Sequence, residues 1–364
     1  MLTREGCVIR QQRLLRVMEQ RQWDLFLTAD PRTAYYFTGS LAPADAPVAF
    51  LLWTEGRSLL ITPGPMEGQA DRILPLETYS IERAVDYPER DLARMLRPLL
   101  TGKRLGVERR MVTGMMEQAL PVSSRVEDAT ETMLRLRRWK APDEVAEIER
   151  SLQLCAAAYD AARAAIAPGL KEVDVYAAMY EAVVKQAGTA VAFPGDFACG
   201  ERCIRGGGAP TERVILPGDL YILDLFPAPA FYSADTCRTF SVGDPTDIQQ
   251  RAWEVVVEAV RLAEGAIRPG VAARDVYRLV KDYLDSEPVT EKSFWHHVGH
   301  GIGHRGHESP RIIPGSTDVF ETGDVFTLEP GVYSQALHGG IRLEDNYVVT
   351  ETGIRNLFAY PREL

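Results

Sequence analysis

Residues 166–176 read IAPGLKEVDVY, and residues 267–277 read IRPGVAARDVY. In both stretches an isoleucine leads into a Pro-Gly pair, Pro168-Gly169 and Pro269-Gly270. An Asp-Val-Tyr triplet then follows at the same distance, at 174–176 and at 275–277. Pro-Gly ends a helix, because proline has no N–H to give and glycine accepts the left-handed backbone. An aspartate starts the next helix by accepting from the unsatisfied N–H groups of its first turn. Each copy therefore reads as helix, turn, helix, with Asp174 and Asp275 as caps and strand-like runs beyond. Two copies predict a pseudo-symmetric α+β domain.

Outward from the repeat, the segment LRRWKAPDEVAEIERSLQLCAAAYDAARAAI (136–166) opens a long helix, with Asp143 beside Pro142 as its expected cap. Upstream, RQQRLLRVMEQRQ (10–22) has helical periodicity, while WDLFLTA (23–29) and PVAFLLWTEGRSLLIT (47–62) read as apolar strands. An α/β domain over 1–132 and a second domain over 133–364 follow, and 364 residues is a length that suits two.

Composition narrows the function. Net charge is −10, from 41 basic and 51 acidic residues, so no basic stripe exists for a nucleic acid or an anionic membrane surface. No apolar run approaches the ~20 residues that span a bilayer, and the opening MLTREGCVIRQQRLLR has no signal-peptide core. Five scattered cysteines, 7, 155, 199, 203 and 237, read as reduced thiols of a cytoplasmic protein.

Acidic residues interrupt the apolar runs of the second domain. LYILDLFPAP sets Asp224 in one run and FYSADTCRTFSV sets Asp235 in the next, with Pro227 and Pro229 between them. A hairpin turning there would put the two aspartates face to face. DVFTLEPGVYS and GGIRLEDNYVVT repeat the pattern with Glu329 and Glu344, whose midpoint falls in the loop SQALHGG (334–340). Like charges in a core need a cation between them. Five of the six histidines fall between the two carboxylate pairs, in HHVGHGIGHRGHESP (296–310). Four carboxylates and an imidazole suit two divalent ions such as Mn, Co, Fe or Zn. Such a pair, ~3.5–4 Å apart, acidifies water and polarises a carbonyl, which equips a site to hydrolyse an amide. The glycines 301, 303 and 306 also fit G-x-G-x-x-G, but Pro310 and Pro314 follow where that motif requires a helix.

The ordered motifs ILDLF, SADTCRTF, GHGIG, LEPGVY and GIRLED resemble those of the pita-bread metallopeptidases, the group of methionine aminopeptidase, aminopeptidase P and prolidase. The resemblance covers about residues 137 to 364, and more weakly the N-terminal domain of the prolidase and creatinase branch. It implies Asp224, Asp235, His300, Glu329 and Glu344 as ligands of two divalent ions, Mn foremost. It implies Glu329 as general acid/base, His307 as stabiliser of the tetrahedral intermediate and His296 as a substrate contact. Tyr333 and Arg342 match positions that line or brace the site; Arg342 has the plainer alternative of pairing with a neighbouring carboxylate. His297, His304 and His338 match no role and are read as solvated or supporting side chains. The implied activity is hydrolysis of the bond before proline in short peptides. The N-terminal domain is expected to restrict access, and a homodimer is expected.

One position departs from the pattern. The family's further active-site histidine, upstream of the first metal aspartate, falls at or near Gly207 in the triglycine 206–208, and no histidine precedes residue 296. A metal-dependent hydrolase of a non-peptide amide, or a creatinase-like C–N hydrolase, is therefore the alternative. A non-catalytic binding module is the third reading.

Overall fold

The apolar run Trp23–Ala29 supplies the central strand of a sheet around which the first part of the chain is built. In the computed structural model, which describes residues 1–364 apart from 65, 83, 122–124 and 305, that part begins with α1 (Arg4–Arg21). The Thr3 hydroxyl caps α1 by accepting from Gly6 N at 3.1 Å. Then come β1 (Leu25–Thr28), α2 (Pro31–Thr38), β2 (Ala49–Trp53), β3 (Ser58–Thr62), β4 (Arg72–Pro75), α3 (Pro88–Leu100), β5 (Leu105–Glu108), α4 (Gly114–Glu117), β6 (Val126–Asp128) and α5 (Thr130–Arg138). The six strands lie in the order β4-β3-β2-β1-β5-β6. All four residues of β1 are buried, because alternate side chains enter different cores. Phe26 packs with Leu14 and Met18 of α1, whereas Leu25 and Leu27 pack with Leu92 and Leu96 of α3.

Two units result, Met1–Arg137 and Arg138–Leu364. The division lies within α5, later than the expected 132/133, because α5 is anchored in the first unit. Met133 joins its core, and the buried Arg137 Nη1 donates to Thr33 Oγ1 at 2.7 Å and to Glu108 Oε1 at 3.2 Å.

The second unit runs α6 (Pro142–Ala165), α7 (Glu172–Ala187), β7 (Gly195–Cys199), β8 (Leu220–Leu225), β9 (Thr236–Ser241), α8 (Asp247–Ala266) and α9 (Ala273–Ser286). Strands β10 (Gly299–Gly301), β11 (Glu308–Ile312), β12 (Val325–Leu328), β13 (Gly331–Ser334), β14 (Gly339–Arg342), β15 (Asp345–Val349) and β16 (Ile354–Asn356) complete it. The duplication is visible in hydrogen bonds. In the first copy Gly169 N donates to Ile215 O at 2.9 Å and Lys171 bridges Val214; in the second, Gly270 N donates to Phe320 O at 2.9 Å and Ala272 bridges Val319. Both turn glycines are left-handed, with φ of 92° and 90°.

The aspartates of the repeat, however, are not the cap residues. Lys171 and Ala272 precede the helices, and Asp174 and Asp275 stand three positions later. From there Asp174 Oδ2 reaches back to accept from Lys171 N at 2.8 Å, which satisfies the same orphan donors from the other side. Asp143 is likewise inside its helix. Ala141 holds the cap position, and Glu144 Oε2 accepts its N–H at 2.8 Å.

The strands set the site. Antiparallel pairing places Asp196 of β7 opposite Asp224 of β8, and Asp224 opposite Cys237 of β9. Cys237 bridges Glu344 in turn. The pairs β12–β15 and β13–β14 share one register across the break at Pro330, so Glu344 stands opposite Glu329 as the loop midpoint required. One row across the strands thus carries Asp196, Asp224, Cys237, Glu344 and Glu329. The facing of Asp224 and Asp235 needs correction. Asp235 lies two residues before the partner of Asp224, diagonal to it. The offset is the register of the whole β8–β9 ladder. Asp235, just outside it, is held instead by the Asn346 side chain, which accepts from Asp235 N at 3.2 Å and donates to Asp235 O.

Candidate metal centre

Glu329 and Glu344 of the row, with Asp235 just off it, meet His300. The His300 Nδ1 is 3.0 Å from the Gly301 carbonyl, a contact in which Nδ1 donates, so that Nε2 is left to meet a cation, whether a proton or a metal ion. That Nε2 stands 3.2 Å from Glu329 Oε1 and 3.5 Å from Asp235 Oδ2. A ring nitrogen and carboxylate oxygens held this close are stabilised by a cation between them. Asp235, His300 and Glu344 offer ligand atoms within 4.8 Å of one another. Asp224 Oδ1 and both carboxylate oxygens of Glu344 are buried and, among the described residues, receive no hydrogen bond. Orphaned buried acceptors are costly, and their convergence fits divalent ions. The donor set of four carboxylates and one imidazole suits Mn, Co, Fe or Zn.

Electrostatics agree. Burial pushes the Asp224 carboxyl up to about 6; Arg342 pulls it back, while Asp196 and Glu329 push it further. Asp235 and Glu344 are raised well above the usual carboxylate range, first by burial and then by their acidic neighbours. Glu329 goes the other way. Burial would raise it, but hydrogen bonding to His297 and His300 outweighs that and holds it well below the usual range.

A cavity of about 340 Å³ opens on this cluster, with Asp224, Asp235, His300, His307, Glu329 and Arg342 in its wall. His307 has φ of +61°, uncommon for a non-glycine residue, and its ring centroid lies 4.0 Å from that of His300. Burial, helped by His300 and His297, lowers its pKa to about 4. His296 is lowered to about 4 by burial as well, so both imidazoles are neutral at pH 7. His296 stands behind the wall, with Nε2 2.9 Å from the Tyr333 hydroxyl and Nδ1 2.7 Å from the His297 carbonyl. Arg342 Nη1 donates to the same hydroxyl at 3.3 Å, and its Nη2 pairs with Asp224 Oδ2 at 2.6 Å. Arg342 therefore does what its plainer alternative required and also faces the cavity.

Two cavity residues had been given no role by the sequence. His297 brings Nδ1 to 3.2 Å from Glu329 Oε1. Asp196 lies in the wall beside Arg342. The first matches no position of the motif pattern and reads from sequence only as a solvated or supporting side chain. The second was legible only from the pairing of β7 with β8. His304 packs on Tyr232, ring centroids 4.3 Å apart, and His338 ends the turn at 335–337. Support of a ligand by a side chain of the His297 kind is worth about 10- to 100-fold in metal affinity or activity. His297→Ala should show a loss of that size in a metal titration; an unchanged affinity would leave His297 a bystander.

Comparison with known proteins agrees with this geometry. Residues 146–351 match the model of metallopeptidase family M24, and residues 10–139 match the creatinase/prolidase N-terminal domain. An Xaa-Pro dipeptidase of Pyrococcus furiosus is 29% identical over 358 residues, covering 98% of this chain and 99% of the relative. An uncharacterised peptidase of Bacillus subtilis is 31% identical over 72% of this chain and 74% of its own. Among solved structures, an Xaa-Pro dipeptidase from Bacillus anthracis superposes with a TM-score of 0.82 at 25% identity, covering 100% of this chain and 99% of that one. Two matched domains, together with a cavity lined by carboxylates and histidines, place the chain in metallopeptidase family M24, with a creatinase/prolidase domain at its N-terminal end.

Proposed function

We propose that this peptidase cuts the bond before proline in short peptides, with Asp224, Asp235, His300, Glu329 and Glu344 holding two divalent ions, Mn foremost. The convergence of carboxylates from two hairpins around His300, with Asp224 Oδ1 and both Glu344 oxygens buried and orphaned, carries the proposal. Likeness to proteins named Xaa-Pro dipeptidase along nearly the whole chain supports the substrate class.

Bound ions would acidify water and polarise the peptide carbonyl. The chain's own residues do the rest. Glu329, kept ionised by His297 and His300, takes a proton from the attacking water. The C–N bond then breaks, and the same carboxyl passes that proton to the leaving nitrogen. A neutral His307 donates an N–H to the carbonyl oxygen as negative charge develops there. His296 and Tyr333, hydrogen-bonded to each other, fix the wall against which the substrate rests.

A cytoplasmic location fits the five buried cysteines, among which no disulfide forms. No helix among the described residues is long and apolar enough to cross a membrane. A homodimer belongs to the same proposal, and light scattering would separate it from a 40.5 kDa monomer. The deciding assay is hydrolysis of Ala-Pro and Ala-Pro-Ala by metal-stripped protein reloaded separately with Mn, Co, Fe or Zn. Cleavage that returns only with metal is expected, fastest with Mn. Absence of cleavage by protein shown to hold two ions per chain would overturn the substrate assignment.

A further inference from the structure

Asp196 is the one carboxylate of the cross-strand row that has neither a strong partner nor a place among the proposed ligands. It lies next to Asp224 in the ladder and faces the cavity, with 36% of its side chain exposed. Among the described residues its side chain has one hydrogen bond, from Arg342 Nη2 at a long 3.4 Å. That same nitrogen is committed to Asp224 at 2.6 Å.

The neighbouring loop explains why the space is free. Gly207 has φ of +153°, and a Cβ built there would stand 2.4 Å from Asp196 Cγ. A side chain at 207 and the carboxylate of Asp196 are mutually exclusive. The histidine that the sequence pattern calls for near Gly207 is thus displaced by an acid, and the local charge changes from neutral or positive to negative. An ionised carboxylate on a cavity wall gains most from a cation brought by the ligand, and it repels a ligand carboxylate.

We propose that Asp196 is a specificity residue that receives a cationic group of the substrate beside the scissile amide. The assignment rests on the peptidase reading of this cavity. Two sources offer such a cation: the free α-ammonium of the peptide, or a positive charge on the leaving amine.

Four compounds separate them: Ala-Pro, Ala-prolinamide, N-acetyl-Ala-prolinamide and the Ala amide of 2-(aminomethyl)pyrrolidine. If the α-ammonium is bound, acetylation lowers kcat/KM by about 10- to 100-fold, the range of a charge-assisted hydrogen bond, mainly through KM. If the leaving side is bound, kcat/KM rises from carboxylate to amide to aminomethyl compound. In either case Asp196→Asn flattens the preference while metal content stays at two ions per chain, and Asp196→Glu restores part of it. The same preferences in Asp196→Asn as in the parent overturn the proposal, as does loss of metal from Asp196→Asn, which would make Asp196 a ligand. Should the metal-loaded parent cleave none of the four, the Xaa-Pro reading fails and calorimetry decides for Asp196. Binding of alaninamide or 2-(aminomethyl)pyrrolidine that disappears in Asp196→Asn sustains the cation site; binding of neither, or binding equal in both proteins, removes it.

Discussion

Glu329→Gln lowers turnover of an Xaa-Pro peptide by about 10³-fold or more, as expected for loss of a general base, typically worth about 10²- to 10⁴-fold, from a residue that also holds metal. The substitution keeps size and shape, so the surrounding structure should persist. Thr327 Oγ1 donates to Glu329 Oε1 at 2.9 Å, and a glutamine amide oxygen can accept the same bond. His297 Nδ1 and His300 Nε2 approach that oxygen too, each at 3.2 Å. Thr327 therefore holds one oxygen, with two imidazole nitrogens beside it, and among the described residues no donor falls on the other. Such an arrangement locks the carboxylate while leaving Oε2 open to exchange a proton with water. The measurement is single-turnover hydrolysis with metal content determined on the same sample. Glu329→Gln that binds two ions and still works within 10-fold of the parent would remove Glu329 from the proton path.

The centre was legible because its chemistry interrupts a pattern. Asp224 and Glu329 sit in apolar runs where a carboxylate is expensive, and hairpin arithmetic paired them with acids on the neighbouring strands. The arithmetic was right for Glu329 and Glu344, whose loop is short and whose ladder keeps one register from β12 to β14. It slipped for Asp224 and Asp235, whose connection spans ten residues: β8 and β9 pair two residues out from the expected register. Asp235 is held instead by Asn346, a residue more than a hundred positions away. Asp196 was invisible for a similar reason. Its meaning comes from a third strand and from the empty Cβ position of Gly207, and neither leaves a periodic trace. The Pro-Gly repeat revealed the duplication but misplaced its caps, since an acid three residues into a helix and one at its cap answer the same donors. The first domain was read as α/β from one helical stretch and two apolar strand runs, and its sheet forms around β1, which is buried on both faces.

Stripped of metal, the carboxylate cluster of the second unit should add stability in mild acid that it does not add at neutral pH, the reverse of the usual acid sensitivity of carboxylates. Asp224, Asp235 and Glu344 have folded-state pKa values above those of an unfolded chain. At these groups the folded protein then binds more protons than the unfolded one, so their share of the stability falls as pH rises from the ordinary carboxylate range through about 6 and beyond. Glu329 is displaced the other way, and so are the buried His296 and His307, whose pKa values fall to about 4. All three favour the folded state as pH rises, so the cluster's own share is the pH-dependent difference between the stripped parent and stripped Glu344→Gln. The rise at Asp224 alone corresponds to roughly 3 kcal/mol. Divalent ions should cancel the effect, adding about 4 kcal/mol at a thousandfold excess over Kd and binding more tightly as pH rises and ligand protons leave. Thermal unfolding of stripped protein at about pH 5 and about pH 7.5, with and without Mn, reads all of this. Glu344→Gln sharpens the test, because it removes one of the mutually repelling charges while keeping the side chain's volume. At neutral pH the stripped Glu344→Gln protein should melt above the stripped parent, and Mn should raise it far less. A stripped Glu344→Gln that melts below the parent, together with an equal gain from Mn, would mean that the carboxylates are not held against their own repulsion for a cation.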